Sequence, residues 1–398
     1  MSALLSLEEA LGRLLMLAEA APILEAETLP AGAAAGRVLA EPLRSAIDLP
    51  PWPNSAMDGY ALCLADWQDE PLAVSQQVFA GQAPAPLVRG TCARIFTGAP
   101  LPAGADTVEM QENVEVQADG RVHFREALRV GKNVRPRGQE AAAGETLLDA
   151  GTRLGPVELG VAASVGVAEL RVRRRPRVAL LSTGDELVEP GRPLGAGQIY
   201  NSNRALLAAW LTRLGCAVED AGILPDDLAQ TRGRLAELGG ADLILSTGGV
   251  SVGEADFLGR VLREEGELAL WKLALKPGKP LTCGHYRGTP VLGLPGNPAS
   301  TLVTFALLAR PYLLHRLGVV RVEPLRFAVP AGFAWPKAGT RREFLRARLE
   351  QGRAVLHANQ SSGVLRSAAW ADGLVEVREG TTLEEGEAVT FIPLAELF

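Results

Sequence analysis

The sequence predicts a multidomain α/β protein whose centre is a doubly wound, mostly parallel sheet. Three patterns support this prediction. Strand-like and helix-like patterns alternate from residue 177 to about residue 315, as in a parallel sheet covered by helices on both faces. Residues 51–140 are short apolar runs broken by Gly and Pro, which is typical of a small β-rich domain. Beyond Gly318 the helical periodicity stops, and short apolar runs between Gly-containing turns predict a C-terminal β-barrel or sandwich.

The N-terminal element is predicted to be an amphipathic helix. Ser6 followed by Glu9 is a potential capping box, and the leucines that follow recur at helical spacing. Residues 42–53 are rich in proline, which favours extended backbone and suggests a passage between domains. In the central region the pattern predicts, in chain order, a strand at 177–181, a helix at 203–214, a strand at 218–224, a helix at 227–238, strands at 242–246, 270–275 and 291–294, and a helix from 299 to about 315.

Composition argues against several classes of protein. The chain of 398 residues has a net charge of −6 and a pI of about 5.5, which argues against nucleic-acid binding. No apolar run approaches the ~20 residues of a membrane span, and the N-terminus lacks the basic stretch of a secretory signal. We therefore expect no membrane association and a cytoplasmic location. The four cysteines and four histidines are scattered without zinc-site or disulfide-framework spacing, so any bound metal is predicted to have oxygen ligands.

Gly-rich and acidic clusters follow the predicted strands of the central region. They are Thr183-Gly184-Asp185-Glu186 after the first strand, Asp226-Asp227 after the second, residues 247–256 after the third, and Pro295-Gly296-Asn297-Pro298 after the last. Ligands of open α/β sheets bind beyond the carboxyl ends of the strands, so these clusters are predicted to share one edge. Glycine loops expose N–H donors that suit phosphate, and carboxylates from separate loops can hold Mg²⁺. The pattern therefore predicts an anionic, phosphorylated ligand handled with a divalent metal ion.

Positive charge follows in the stretch WKLALKPGKP. In a strand, Lys272 and Lys276 would project to the same face because side chains alternate. Surface charge is the ordinary explanation for an arbitrary pair of lysines. Because the neighbouring residues are apolar and the stretch ends in a turn beside the predicted crevice, we favour anion binding.

Each cluster also has a purely structural explanation. Asp226 or Asp227 alone would ordinarily be a helix N-cap, and Asn297-Pro298 could simply begin the last helix. The stretch PNSAMDGY, which contains Asp58, could be a turn that leads into a strand. Convergence on one edge favours a functional role, since independent caps do not require it. The central region contains neither a Walker A motif nor GxGxxG, so ordinary nucleotide-hydrolase and dinucleotide-binding functions lose support.

Seven longer motifs occur in a fixed order along the chain. They are PPWPNSAMDGYA, RIFTGAPLPAGADTV, STGDEL, GQIYNSN, STGGVSVGEADF, WKLALKPGKP and GLPGNP. Together they resemble the molybdopterin molybdenumtransferase family, which includes bacterial MoeA and the gephyrin and plant Cnx E-domains. The resemblance runs from about residue 7 to the C-terminus and is weakest after Gly318.

The resemblance implies a subunit of four parts. They are a molybdopterin-binding α/β domain formed by residues 1–26 and 176–317, a linking domain formed by residues 27–50 and 141–175, a β-rich domain formed by residues 51–140, and a C-terminal β-barrel domain formed by residues 318–398. It also implies a homodimer with the site at the subunit interface, where Asp58 of one subunit reaches the α/β domain of the other.

The activity that the resemblance implies is insertion of molybdate into adenylylated molybdopterin, with Mg²⁺-dependent release of AMP, in molybdenum cofactor biosynthesis. Transient contact with a molybdopterin adenylyltransferase would supply the substrate. The implied catalytic residues are Asp58, Glu186, Asp226, Asp256, Lys272 and Lys276, of which Glu186, Asp226 and Asp256 would bind the metal. The implied substrate-binding residues are Thr97, Thr183, Gly184, Gly248, Gly249, Ser251, Pro295, Asn297 and Pro298.

Two other functions stay open, namely a non-catalytic cofactor-binding scaffold and the related adenylyltransferase. The intact acidic and basic residues argue against the first, and the two β-rich regions argue against the second. The chain also departs from its relatives at a few positions. Gln139-Glu140 stand where relatives commonly have Glu-Asp, and Asn201 stands where an Asp is often found. Loss of the charge at Asn201 is expected to weaken a peripheral contact.

Overall fold

The computed structural model describes residues 4–248 and 257–397, which fold as a mixed α/β protein. The predicted site residues Gly249, Ser251 and Asp256 lie outside the described residues. Within the described ranges, no helix combines the length and the apolar character that a membrane span requires.

Helix α1 (Leu7–Ala20) begins at the predicted capping box, which the structure confirms. The Ser6 hydroxyl accepts a hydrogen bond from the Glu9 amide at 3.1 Å, and the Glu9 carboxylate accepts one from the Ser6 amide at 2.9 Å. The helix buries one face, which includes Leu14. Two short strands follow, β1 (Ala26–Pro30) and β2 (Leu43–Arg44).

Residues 51–140 form a β-rich insertion. Its strands are β3 (Asn54–Ser55), β4 (Gly59–Leu62), β5 (Ala73–Val78), β6 (Thr91–Ile95), β7 (Thr107–Met110), β8 (Val114–Val116), β9 (Val122–Phe124) and β10 (Val134–Arg135). Four of them form a sheet in the order β5-β6-β4-β7, while β8 pairs with β9 and β3 with β10. At Gly59 a Cβ atom would lie 1.8 Å from the Glu109 carbonyl oxygen, so only glycine allows β4 to approach β7 this closely.

After the insertion come β11 (Thr146–Leu148), α2 (Pro156–Ser164) and β12 (Glu169–Arg173). Strand β12 pairs antiparallel with β1, and β11 pairs antiparallel with β2. The chain segments on either side of the insertion therefore pair with each other. Arg174 then links this region to the central sheet through two hydrogen bonds to the Asp242 carboxylate, at 2.7 and 2.9 Å.

The central sheet has six strands, and strands and helices alternate along the chain as predicted as far as residue 265, after which four strands precede the next helix. In chain order the elements of this region are β13 (Arg177–Thr183), β14 (Leu187–Val188), β15 (Ile199–Tyr200), α3 (Ser202–Arg213), β16 (Ala217–Leu224), α4 (Leu228–Glu237), β17 (Leu243–Thr247), α5 (Phe257–Glu265), β18 (Gly266–Lys272), β19 (Leu275–Lys276), β20 (Pro280–Tyr286), β21 (Thr289–Leu294), α6 (Pro298–Thr304) and α7 (Arg310–Arg316). Strands β14 and β15 pair with each other and β19 pairs with the C-terminal region, so these three lie outside the central sheet. The sheet order is β16-β13-β17-β21-β20-β18. The first four strands are mutually parallel, and β20 is antiparallel to both β21 and β18.

Helices cover both faces of this sheet. One core cluster joins α1, α3, α6 and α7 to residues such as Leu180 and Leu245 on one face of the strands. A second cluster joins α4 and α5 to the opposite face, where Ala179 and Ile244 lie. A π-helical turn at Phe305–Ala309 connects α6 and α7, so the helix predicted from residue 299 onwards is present but contains a local widening.

The strand predicted at 270–275 is only partly correct, because it is not continuous. Strand β18 ends at Lys272, and β19 leaves the central sheet to pair with the C-terminal region. Leu5 lies between the two, because its amide donates to the Lys272 carbonyl at 2.8 Å and its carbonyl accepts from the Ala274 amide at 2.7 Å. Lys272 and Lys276 therefore belong to different sheets, and alternation along one strand does not relate their side chains.

The C-terminal region contains β22 (Phe327–Pro330), β23 (Arg342–Glu350), β24 (Arg353–Leu356), α8 (Arg366–Trp370), β25 (Gly373–Val377) and β26 (Ala388–Pro393). Its strands follow the order β19-β23-β25-β26-β22, and β24 pairs with the free part of β23. A single bridge between Ala331 and Ala354 brings the chain after β22 next to β24.

Candidate active site

The loop after β13 carries Thr183, Gly184 and Glu186 at the carboxyl end of the central sheet. Gly184 has φ +134°, and a Cβ atom at this position would lie 2.2 Å from a Glu186 carboxylate oxygen. The Glu186 side chain therefore folds back over Gly184, where a Cβ atom would displace it and where the positive φ favours glycine. Hydrogen bonds from the Gly184 amide to the Leu224 carbonyl, at 3.4 Å, and from the Leu187 amide to Gly184 hold the loop against the end of β16.

Asp226 lies beside this loop, at the end of β16. Its amide donates to the Asp185 carboxylate at 3.0 Å. Burial, followed by the nearby charges of Asp185 and Glu186, raises the pKa of the Asp226 carboxyl above its usual value. Its neighbour Asp227 is the N-cap of α4, because the Asp227 carboxylate accepts from the Gln230 amide at 2.8 Å. The capping role therefore belongs to Asp227, and Asp226 faces other carboxylates.

The third strand, β17, delivers Gly248 to the same place. Gly248 has φ +79°, and a Cβ atom there would lie 2.6 Å from the Thr183 carbonyl oxygen. Its amide donates to the Leu294 carbonyl at 3.3 Å, which ties it to the end of β21. Across the ranges 4–248 and 257–397, no three His, Cys, Asp or Glu side chains form a group that could hold a metal ion. Glu186 and Asp226 are thus the two predicted metal ligands that are described.

The fourth cluster, Pro295 to Pro298, is held from beneath by buried side chains. The Thr301 hydroxyl donates to the Pro295 carbonyl at 2.6 Å, and the Asn203 amide group donates to the Gly296 carbonyl at 2.6 Å. Pro298 is the first residue of α6, while the Asn297 side chain makes no capping hydrogen bond. The predicted helix start is correct, and the Asn297 side chain is not used as a cap.

A buried polar network lies under these loops, and the sequence analysis missed most of it. The Asn201 side chain donates to the Ser182 hydroxyl at 2.9 Å, and the Thr247 hydroxyl donates to the same oxygen at 3.2 Å. Asn201 also caps α3 by accepting from the Arg204 amide. It is 2% exposed, so it acts from the interior, which corrects the expectation of a peripheral contact. The signal available in the sequence was the polar residues at the ends of strands that are otherwise apolar.

Lys272 reaches the same edge after two reversals of strand direction. Strand β18 is antiparallel to β20, which is antiparallel to β21, so β18 ends at the carboxyl edge. Four strand spacings of ~4.8 Å place its end about 19 Å from the end of β13. Lys276 lies in β19, where its ammonium group contacts the Glu343 carboxylate at 3.0 Å. Both lysines are exposed.

Asp58 and Thr97 meet in the insertion, at one end of its four-stranded sheet. The Asp58 Oδ1 atom accepts from the Thr97 amide at 2.7 Å and from the Thr97 hydroxyl at 2.8 Å. These two hydrogen bonds lower the pKa of Asp58, so the carboxylate stays ionised. The described site residues therefore lie in three places: the carboxyl edge of the central sheet, the insertion, and, for Lys276 alone, the C-terminal sheet.

Comparisons with known proteins are consistent over nearly the whole chain. Three family models match: the MoeA N-terminal region (domain I and II) over residues 5–166, a probable molybdopterin binding domain over residues 179–315, and the MoeA C-terminal region (domain IV) over residues 328–394. The chain is 39% identical to the molybdopterin molybdenumtransferase of Haemophilus influenzae, over 92% of this chain and 93% of that protein. It is 38% identical to molybdopterin molybdenumtransferase 2 of Mycobacterium tuberculosis, over 88% and 91%. A crystal structure of the molybdopterin biosynthesis MoeA protein from Pyrococcus horikoshii superposes with a TM-score of 0.83 at 27% identity, covering 98% of this chain and all of that one.

Proposed function

The chain belongs to the MoeA family and is a molybdopterin molybdenumtransferase of molybdenum cofactor biosynthesis, and we propose that its reaction uses Mg²⁺ and releases AMP from adenylylated molybdopterin. One observation supports this proposal most strongly. Asp226 and Glu186 come from separate loops of one sheet edge, and burial, followed by the nearby charges of Asp185 and Glu186, raises the pKa of Asp226. Carboxylates that repel one another at a sheet edge fit a bound cation better than a structural role.

Mg²⁺ fits this donor set because it prefers oxygen ligands and is commonly held by one or two carboxylates together with substrate phosphate. Glu186 and Asp226 would hold it, and the family resemblance adds Asp256. When bound, the ion would act as a Lewis acid and template for the adenylate phosphoanhydride.

The rest of the edge would bind the substrate's phosphate region. Thr183 lies close to Gly248, since a Cβ atom added at Gly248 would be 2.6 Å from the Thr183 carbonyl oxygen. The carbonyl groups of Pro295 and Gly296 are bound by buried side chains, so the loop keeps its shape when ligand is absent. A loop that is fixed before binding loses little conformational freedom on binding.

Lys272 and Lys276 would offset the repulsion between molybdate and the phosphate groups of the substrate. Lys276 pairs with Glu343 at 3.0 Å, and its side chain is 52% exposed whereas that of Glu343 is 8% exposed, so the ammonium group is accessible to an anion. Lys272, at the end of the edge strand, is separated from the carboxylates by most of the width of the sheet. This separation suits an extended ligand with a metal-bound end and an oxyanion end.

The assay follows AMP release by purified protein from adenylylated molybdopterin with Mg²⁺ while molybdate is titrated. We expect AMP release that requires both Mg²⁺ and molybdate. Asp226→Asn is expected to remove activity, whereas Asp227→Asn should retain it, since asparagine is also a good N-cap. AMP release that is absent or indifferent to molybdate would contradict the proposed reaction, and equal activity of the two variants would contradict the role of Asp226.

We further propose a homodimer in which Asp58 and Thr97 complete the site of the other subunit. The support is their geometry: the two form one ordered pair within the insertion, and their hydrogen bonds stay within it. Mixing inactive Asp58→Ala and Asp226→Asn homodimers should restore part of the activity, because exchanged dimers contain one intact site. No recovery after verified subunit exchange would contradict the arrangement.

The four-part layout is proposed in the same way, with the α/β domain at 1–26 and 176–317, the linking domain at 27–50 and 141–175, the β-rich domain at 51–140, and the barrel at 318–398. Pairing of β1 with β12 and of β2 with β11 supports the linking domain. The bridge between Ala331 and Ala354 supports a closed C-terminal sheet. Transient contact with a molybdopterin adenylyltransferase is proposed as the source of the substrate.

A further inference from the structure

One end of the insertion's four-stranded sheet gathers aromatic rings beside the Asp58–Thr97 pair. The paired residues Val78, Ile95, Gly59 and Met110 form one row across the sheet. Immediately beyond that row come Phe79 after β5, Phe96-Thr97 after β6, and Asp58 before β4. Adjacent strands lie ~4.8 Å apart, so Phe79 is about 10 Å from Asp58, within the reach of one ligand.

The rings form a stacked column. Phe79 and Phe96 are parallel to within 7°, with ring centroids 4.6 Å apart. The Arg94 guanidinium lies 4.6 Å from the centroid of Phe96 and 5.1 Å from that of Tyr60. It is held there by donating to the Gly59 carbonyl at 2.9 Å. Stacking and cation–π contacts thus fix the orientation of Phe96, and Phe96 in turn orients Phe79.

The loop that carries Phe79 is tied down on both sides. The Gln82 side chain accepts from the Phe79 amide at 3.3 Å, and the Gln82 amide donates to the Phe79 carbonyl at 3.2 Å. Gln76 exchanges two hydrogen bonds with the Ala85 backbone, at 2.9 and 3.2 Å. Phe79 nevertheless remains 44% exposed. The fold therefore presents a flat apolar ring in one fixed orientation, where it gains little from burial.

We propose that the face of Phe79 turned away from Phe96 is a stacking platform for the planar heteroaromatic ring of the substrate. The inference rests on the proposed function, in which the substrate carries two such rings, adenine and pterin, and the insertion contributes to the site. A ring that is already oriented loses little conformational freedom when a second ring stacks on it. Every purine or pterin ring has a π-face, so stacking needs no matching hydrogen-bond pattern.

The test compares Phe79→Ala with Phe79→Trp, which keeps a stacking ring. Val116→Ala serves as the matched control, because Val116 is 56% exposed and lies in the β8–β9 hairpin of the same insertion. Loss of one base–aromatic stack is expected to raise KM for adenylylated molybdopterin about tenfold. The kcat at saturating substrate should stay within about twofold, since stacking contributes equally to the ground and transition states. Phe79→Trp and Val116→Ala should both match the wild type.

Direct binding identifies which ring is stacked and does not require turnover. Dissociation constants for AMP and for a simple pterin are measured by calorimetry. The probe whose binding weakens in Phe79→Ala and recovers in Phe79→Trp identifies the stacked ring. Unchanged constants in both arms would overturn the proposal. A second result would also overturn it. If sedimentation shows that Phe79→Ala weakens the dimer, while the dimers that remain bind both probes normally, Phe79 is a subunit contact. If the wild type binds a probe through Phe79 but releases no AMP, the proposed reaction fails and the platform stands.

Discussion

Replacing Gly248 with alanine should impair the reaction far more than it impairs folding. The added Cβ atom would lie 2.6 Å from the Thr183 carbonyl oxygen and 3.1 Å from the Thr183 hydroxyl, whereas ordinary contact begins at 3.4 Å. Because the closest obstacle is backbone, no side-chain rotation relieves it. Gly248 also has φ +79°, which disfavours any residue with a Cβ atom.

The magnitude follows from these two terms. A left-handed conformation costs alanine about 1–2 kcal/mol relative to glycine. Restoring ordinary contact requires the ends of β13 and β17 to separate by about 0.8 Å, the difference between 3.4 and 2.6 Å. A misplacement of ~1 Å between reacting groups can lower a rate by about 100-fold. We therefore expect a fall of about 100-fold in kcat/KM, with a folded protein.

The measurements are AMP release and urea unfolding, with Gly288→Ala as the control. Gly288 lies in the turn between β20 and β21 of the same sheet, has φ +86°, and has open space where its Cβ would be. It therefore carries the conformational cost without the clash. If Gly248→Ala retains wild-type kcat/KM and destabilises no more than Gly288→Ala, the contact with Thr183 does not shape the site.

Two further predictions concern buried and crowded charges. Since the folded-state pKa of Asp226 is raised above 3.8, its ionised form destabilises the fold at neutral pH, so Asp226→Asn should raise the free energy of unfolding at pH 7. This gain in the free energy of unfolding should shrink as the pH falls toward 3.8. Urea titrations at pH 7 and pH 5 measure it, and a larger gain at pH 5 than at pH 7 would contradict the reasoning. Lys132→Met should destabilise the insertion by about 3–5 kcal/mol, because it leaves the fully buried Glu109 carboxylate without its cation at 2.5 Å. Adding Glu109→Gln should recover part of the lost stability. If thermal unfolding shows that Lys132→Met costs less than about 1 kcal/mol, the value for an exposed pair, then water solvates Glu109.

Elements with a strong local pattern could be predicted from the sequence alone. The apolar run that begins at residue 177 corresponds to β13, and the helical spacing at 203–214 corresponds to α3 within one or two residues. Strand β20 was missed because it begins with Pro280 and contains Gly284, both of which ordinarily disfavour strands. The position of β20 is determined by β18 and β21, which pair with it on either side. The approach of β18 is so close that a Cβ atom at Gly284 would lie 2.1 Å from the Glu267 carbonyl oxygen. Pairing between distant segments leaves no local pattern to detect.

The candidate site divides in the same way. Asp226 and Glu186 could be predicted because parallel strands end at one edge, which is a rule of topology. The supporting residues Asn203 and Thr301 could not, because each binds a carbonyl group that only the folded chain brings near. Lys276 shows a third case, since an apparent continuous strand is interrupted by Leu5 from the other end of the chain.

Helix α1 cannot take its final position until most of the chain has been synthesised. Its apolar face packs against α7, and the Arg316 carbonyl accepts from the Ile23 amide at 2.7 Å, so its partner is translated about 300 residues later. At ~5–20 residues per second, Leu14 and its neighbours stay uncovered on the ribosome for roughly 15–60 s. A nascent chain of this protein therefore offers an early and persistent apolar target to any chaperone stationed at the exit tunnel.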